Sequence, residues 1–254
     1  MTETPAAREP AALRPHELLT DYYRDEADRQ RFIRRIFDET ASDYDRIERV
    51  LAFGSGSWYR REALKRAGLA SGMQVLDVGF GTGLVAREAL SIIGPTGSLT
   101  GVDPSPGMMS QAQLAGVELV TGMAEQIPRP DASADFLSLG YALRHIADVA
   151  AAFSEFHRVL RPGGRLLVLE ITKPRGAFAT ALLKGYMRAV VPGIARVVGR
   201  QRHDTAHLWR YYWDTIEACI PPEQVMAALR DAGFHDVKRE VQLGIFSEYT
   251  AIRR

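Results

Sequence analysis

One cysteine, Cys219, stands in 254 residues, which excludes an internal disulfide and a cysteine-built metal cluster and fits a reducing compartment. Charge of one sign is equally scarce. With 32 Lys and Arg against 31 Asp and Glu the net charge is +1, so no basic excess serves a phosphate backbone and nucleic acid is not an expected partner. No run of about 18 apolar residues exists, so no segment is expected to span a bilayer. The stretch 1–15 carries Glu3 and Glu9 beside Arg8 and Arg14 and lacks the apolar run of a signal peptide; it reads as a mobile tail, and the cytoplasm is the expected location. What remains is ordinary globular composition, 46% hydrophobic and 25% charged, enough for one sizeable α/β domain.

From His16 to Phe53 charged residues alternate with Leu18, Tyr22, Phe32, Ile36, Tyr44, Ile47 and Leu51 at mostly helical intervals, which predicts two or three amphipathic helices. Gly54-Ser55-Gly56-Ser57 breaks the pattern, and Ser57 is expected to cap a further helix ending near Gly68. Residues 16–70 thus form a helical lid ahead of a domain over 71–254. In that domain strands are expected at 74–78, 98–102, 117–120, 136–139 and 165–171, with helices between them. The alternation predicts a mostly parallel, Rossmann-like sheet with helices on both faces. A helical insertion at about 174–216 and a helix opened by Pro221-Pro222 follow. Two strands joined at Gly244 close the chain and place an antiparallel strand in a seven-stranded sheet.

The chemistry is concentrated in Asp77-Val78-Gly79-Phe80-Gly81-Thr82-Gly83, a strand-to-helix turn where backbone N–H groups approach a ligand only if side chains are absent. A dinucleotide fingerprint needs its third glycine three residues after the second. Here that position is Leu84, and Gly83 comes one residue early. An acid at Asp77 also sits badly beside a pyrophosphate, whereas a cationic sulfonium with an ammonium group suits it. Asp103, twenty residues after Gly83, ends the second strand, where a carboxylate accepts from ribose hydroxyls or caps the following helix.

With these residues in view the chain resembles class I S-adenosylmethionine-dependent methyltransferases, and more narrowly the family that C-methylates ubiquinone and menaquinone precursors. The resemblance runs through Tyr44-Asp45, the Asp77 to Gly83 turn, Gly122 with Ala124-Glu125, Leu143-Arg144, Arg158 to Gly164, Lys173-Pro174 and Arg210-Tyr211-Tyr212. It implies that Asp77, Gly79 and Gly81 meet the methionine end, Asp103 the ribose, and Met123 and Ala124 the adenine. Met123 stands where many relatives carry an acid. The family's Leu-Arg-Asn stretch, assigned to activating the acceptor phenol, here reads Leu143-Arg144-His145. An unperturbed imidazole titrates near pH 6.5, so His145 is expected either as the base, with Arg144 stabilising the phenolate, or as a packed residue without catalytic duty. No metal is required.

Tyr44 in the lid and Tyr211 and Tyr212 are candidate walls of an aromatic acceptor site; the alternative for the latter pair is core. Seven basic side chains from Lys173 to Arg202 occur with no acid between them, which suits either an anionic membrane surface receiving a lipophilic tail or a solvated helical face. A homodimer is compatible with all of this. Because departures fall mainly on the substrate side, the acceptor is expected to be a quinone precursor or another small molecule methylated on oxygen, nitrogen or carbon. A silent cofactor-binding protein is the remaining reading from another class.

Overall fold

The computed structural model describes residues 12–51, 55–198 and 202–254; the side chains of 51, 195–198 and 202–206 are outside the described set. Between residues 74 and 171 strand and helix alternate as the apolar pattern predicts: β1 (Gln74–Val78), α3 (Leu84–Ile93), β2 (Ser98–Asp103), α4 (Pro106–Ser110), β3 (Val117–Thr121), β4 (Ala134–Gly140), α5 (Val149–Val159) and β5 (Leu160–Ile171). Among the described residues two helices precede them, α1 (Glu26–Leu51) and α2 (Gly56–Arg66).

The seven-stranded sheet has the order β3-β2-β1-β4-β5-β7-β6, with β6 (Phe234–Gln242) and β7 (Phe246–Arg253) as the closing pair. β7 runs antiparallel to both β5 and β6, while β1 to β5 are parallel. The central strands are buried on both faces, as β1 and β4 show, which explains their continuous apolar runs. One side of the sheet packs Phe153, Phe156, Val225 and Leu229. The other packs Leu64, Ala86, Ala89 and Ile93.

The N-terminal helices depart from expectation. The region expected to hold two or three helices folds into one 26-residue helix, α1, preceded by non-helical residues that pack Leu18, Leu19 and Tyr22 against a third core. A continuous i, i+3, i+4 pattern with no breaker from Glu26 onward permits the single helix. Ser57 lies inside α2; Ser55 occupies the cap position and bonds no N–H there with its side chain. Residues 1–11 of the expected tail lie outside the described set. The rest of it is anchored: the Leu13 carbonyl accepts from Val149 N–H at 2.9 Å and the Pro15 carbonyl from Ile220 N–H at 2.7 Å.

The third core unites α1 with the C-terminal helical segment α6 (Ala177–Gly185), a five-residue π-turn (Tyr186–Val190), α7 (Val191–Val198) and α8 (Arg202–Ala218); α9 (Pro222–Asp231) follows. Two of the basic side chains in this segment find acids on α8. Lys184 bonds Glu217 at 2.8 Å and Arg188 pairs with Asp214 at 3.3 Å. No described helix is long and apolar enough to cross a membrane.

Candidate active site

At the end of β1 the backbone turns through Gly79, Gly81 and Gly83, with φ of +64°, +57° and +80°, a left-handed region that L side chains enter at a cost. Space adds to the conformational demand. A Cβ on Gly79 would stand 2.6 Å from the Ala142 Cβ, so the loop after β4 approaches the turn only because Gly79 has no side chain. Gly83 serves as the N-cap of α3.

Asp103 ties the turn to β2. Its Oδ2 accepts from Gly81 N–H at 2.8 Å and its Oδ1 from Ser105 N–H at 2.8 Å, while Ser105, rather than Asp103, caps α4 by accepting from Met108 N–H. Burial pushes the Asp103 carboxyl up to about 6. Asp77 lies beneath the turn: Oδ1 accepts from the Ser138 hydroxyl at 2.6 Å, Oδ2 has no described partner of normal geometry, and burial raises its pKa to about 7. α1 clamps both loops from above. Asp45 accepts from the Thr82 hydroxyl, and Asp38 accepts from Ser105 Oγ at 2.5 Å and Gly107 N–H at 3.0 Å.

These loops open into a cavity of about 560 Å³. One end is walled by Gly79, Gly81, Asp103 and Ser105; the other is apolar and aromatic, with Phe37, Tyr186, Met187, Trp209 and Phe246. Tyr44 and Tyr212 both line it and share a hydrogen bond of 2.6 Å between their hydroxyls. Such a cradle fits a sulfonium nucleoside: Gly79 and Gly81 leave the turn open to a ligand, and each Asp103 oxygen accepts one N–H and keeps a lone pair for a ribose hydroxyl.

His145 also lines the cavity. It ends a short 3₁₀ turn, Leu143–His145, whose carbonyls are held from α1, Arg29 donating to Arg144 O at 3.2 Å and to Ile146 O at 2.9 Å. The imidazole lies among Phe37, Tyr211 and Tyr212, with ring centroids 5.2 to 5.7 Å away. Neither ring nitrogen has a described hydrogen-bond partner. Burial and the nearby Arg144 and Arg29 charges hold its pKa well below the usual imidazole value, so the ring is neutral at pH 7.

Six of the residues expected at the site do not line the cavity: Asp77 and Gly83, which lie beneath the turn and at the start of α3, and four others. Arg144 is fully buried behind the cavity wall, where it pairs with Glu170, donates to Thr215 Oγ1 at 3.1 Å and lies 4.2 Å from the Tyr212 ring centroid. A guanidinium held in this way steadies the Tyr212 face; its Nη2 is buried without a described partner, and the residue is not among those that line the cavity. Tyr211 packs into the third core beside Tyr22, Tyr23 and Phe32. Met123 is 37% exposed, and neither it nor Ala124 is among the lining residues. The neighbouring Glu125 is turned the other way, accepting from Ala147 and Asp148 N–H.

Other lining residues were not singled out from sequence. Tyr141, in a left-handed conformation at φ +60°, follows β4; Arg60 on α2 pairs with Glu48 on α1 at 2.8 Å; Trp209 stacks near Tyr44. Glu48 and Arg60 are twelve residues apart on different helices, a pairing that no local spacing encodes.

Known proteins resemble this chain over most of its length. The sequence model of the ubiE/COQ5 methyltransferase family matches residues 24–253. The ubiquinone/menaquinone biosynthesis C-methyltransferase UbiE of Campylobacter jejuni subsp. jejuni serotype O:6 is 30% identical over 234 residues, which cover 88% of this chain and 98% of the relative. The demethylmenaquinone methyltransferase of Staphylococcus aureus strain JH9 is 29% identical over 81% of this chain and 86% of its own. Among solved structures, a possible histamine N-methyltransferase from Thermotoga maritima shares the fold with a TM-score of 0.60 at 21% identity, covering 87% of this chain and 99% of that one. A methyltransferase from Aquifex aeolicus does so at 0.56 and 22%, covering 77% and 89%. The chain belongs to the ubiE/COQ5 methyltransferase family and is an S-adenosylmethionine-dependent methyltransferase.

Proposed function

We propose that this enzyme methylates a ring carbon of a reduced quinone precursor. The observation that carries the reading is a single cavity joining the glycine turn and Asp103 to a broad aromatic chamber behind Tyr44 and Tyr212. A flat hydroxylated ring fits such a chamber by stacking and area burial. The names of the two bacterial relatives support the same substrate class.

In this reading the missing side chains of Gly79 and Gly81 let the methionine end of the cofactor lie against the turn, and the Asp103 carboxylate holds its ribose. Asp77 keeps the turn in place from beneath, and Gly83 starts the helix that follows. S-adenosylmethionine, when bound, supplies an activated methyl on a sulfonium. The residues do the rest: the aromatic walls align the ring, and His145, neutral and with both nitrogens free of described partners, accepts the proton of the acceptor hydroxyl. Arg144 and Glu170 hold the Tyr212 face of the chamber. The helices ahead of β1 act as the lid over 16–70, latched through Asp38 and Asp45.

The cavity mouth favours a lipophilic tail. Trp58 and Leu243, both lining residues, are 63% and 78% exposed, and α6 exposes Phe178 and Leu182 next to the lining residue Leu183. This rim would rest peripherally on a membrane that stores such an acceptor. A methyl-transfer assay with reduced and oxidised forms of a prenylated naphthoquinone tests the function: transfer to the reduced form supports it, and no transfer to either contradicts it.

A further inference from the structure

We infer that Arg60, held by Glu48 and flanked by Tyr141, is the cation that receives the acceptor's ring oxygen as its hydroxyl ionises. The inference rests on the hydroxylated aromatic acceptor proposed above. It gives to Arg60 the work that the sequence suggests for Arg144.

Cavity chemistry carries it. Among the described lining residues the permanent cations are Arg34 and Arg60. Arg34 is exposed, where water and salt screen its charge. Arg60 is 4% exposed, and its charge acts through a medium of low dielectric. Its Nη1 donates to Glu48 Oε1 at 2.8 Å, and its Nε has no described partner. Burial opposes the charge, but Glu48 outweighs it and the guanidinium stays cationic. Arg144 also has a nitrogen without a described partner, Nη2, but it is not a lining residue, and Glu170 and Thr215 hold it behind the wall.

The surroundings of Arg60 are those of a phenol site. Tyr44 and Tyr141 lie within its electrostatic reach, and Tyr59 and Glu248 lie near Tyr141. Tyr141 reaches the cavity from a left-handed backbone, a conformation that costs a bulky residue free energy and clusters at functional sites. In the ionisation the acceptor O–H bond breaks, the electron pair stays on oxygen and the proton goes to His145. Arg60 then faces the oxygen anion, and the raised electron density appears at the ring carbon beside it.

A phenolic dye tests this without cofactor turnover. 4-Nitro-1-naphthol is titrated from pH 5 to 10 with the cofactor-free enzyme, and the phenol and phenolate bands give the apparent pKa of the bound dye; its proton goes to buffer. Arg60→Gln is expected to raise that pKa by about one unit, a tenfold loss of phenolate preference, and Arg60→Lys by less. Glu48→Gln is expected to lower it below wild type, since Arg60 loses its counter-ion. Opposite shifts from the two halves of one ion pair do not follow from a structural role. Equal pKa values in wild type and Arg60→Gln, shifts of one sign in both variants, or no bound dye would each overturn the inference, given S-adenosylhomocysteine binding that shows the variants folded. Methylation of the reduced quinone by wild type decides the acceptor reading separately: if it proceeds while the dye is indifferent to Arg60, only the inference fails.

Discussion

The guanidinium of Arg144 and the carboxylate of Glu170 pair with each other beneath the Tyr212 ring, with side-chain exposures of 0% and 1%. Removing one partner of such a pair leaves a buried charge without compensation, which costs about 3 to 5 kcal/mol. Arg144→Met is therefore expected to lower the urea midpoint sharply. Arg144→Met combined with Glu170→Met recovers much of the loss. If Arg144→Met unfolds at the wild-type midpoint while losing activity, Arg144 is not the structural support described here.

His145 lines the cavity, and its two ring nitrogens are buried without described partners. Because burial and neighbouring arginines hold its pKa well below 6.5, the ring is deprotonated through the neutral range. The rising limb of kcat/KM that belongs to it falls below pH 6.5. His145→Asn should remove that limb and slow the reaction by about 10² to 10⁴. A limb at the same pH in both proteins would remove His145 as the proton acceptor.

Asp103 and Asp77 are raised by burial to about 6 and about 7. A carboxylate accepts from ribose hydroxyls best when ionised, so affinity for S-adenosylhomocysteine is expected to rise from pH 5 to 7 and then level. Asp103→Asn flattens the part of the rise centred near 6. In the cofactor-free protein the sign reverses for stability. The native state binds more protons than the unfolded chain between about 4 and 7, so stability falls as pH rises through that window. Calorimetry at four pH values and urea melts without ligand check the two signs.

Gly79→Ala places a Cβ 2.6 Å from that of Ala142 and holds alanine at φ +64°. Both effects act on the turn that carries the cofactor. Affinity for S-adenosylhomocysteine should drop at least tenfold, with a loss of about 1 to 3 kcal/mol in stability from backbone strain alone. Unchanged calorimetric binding would mean that the turn does not hold the ligand.

Much of the α/β framework was legible because period and punctuation agreed locally. The strand 74–78, the glycine turn and Asp103 follow from apolar runs, missing side chains and one carboxylate at a strand end. The helices before β1 were harder: the charged stretch from Glu26 predicts helix but gives no reason for one helix instead of two or three. Side-chain destinations were the least legible. Arg144 is adjacent to His145 in sequence, yet the 3₁₀ turn sends one behind the wall to Glu170 and the other into the cavity. Likewise Tyr211 and Tyr212 point to core and cavity, as consecutive residues on a helix must when one face is buried. The Glu48 to Arg60 pair depends on how α1 meets α2, which no local pattern carries.

The central claim concerns the atom that receives the methyl group. It is tested most directly by incubating the enzyme with S-adenosylmethionine carrying a ¹³C-labelled methyl and a reduced, ring-unsubstituted prenyl naphthoquinone, then locating the label by NMR. The account predicts a ¹³C methyl bonded to the ring carbon beside a hydroxyl. A label on oxygen, or no label although S-adenosylhomocysteine binds, would contradict it.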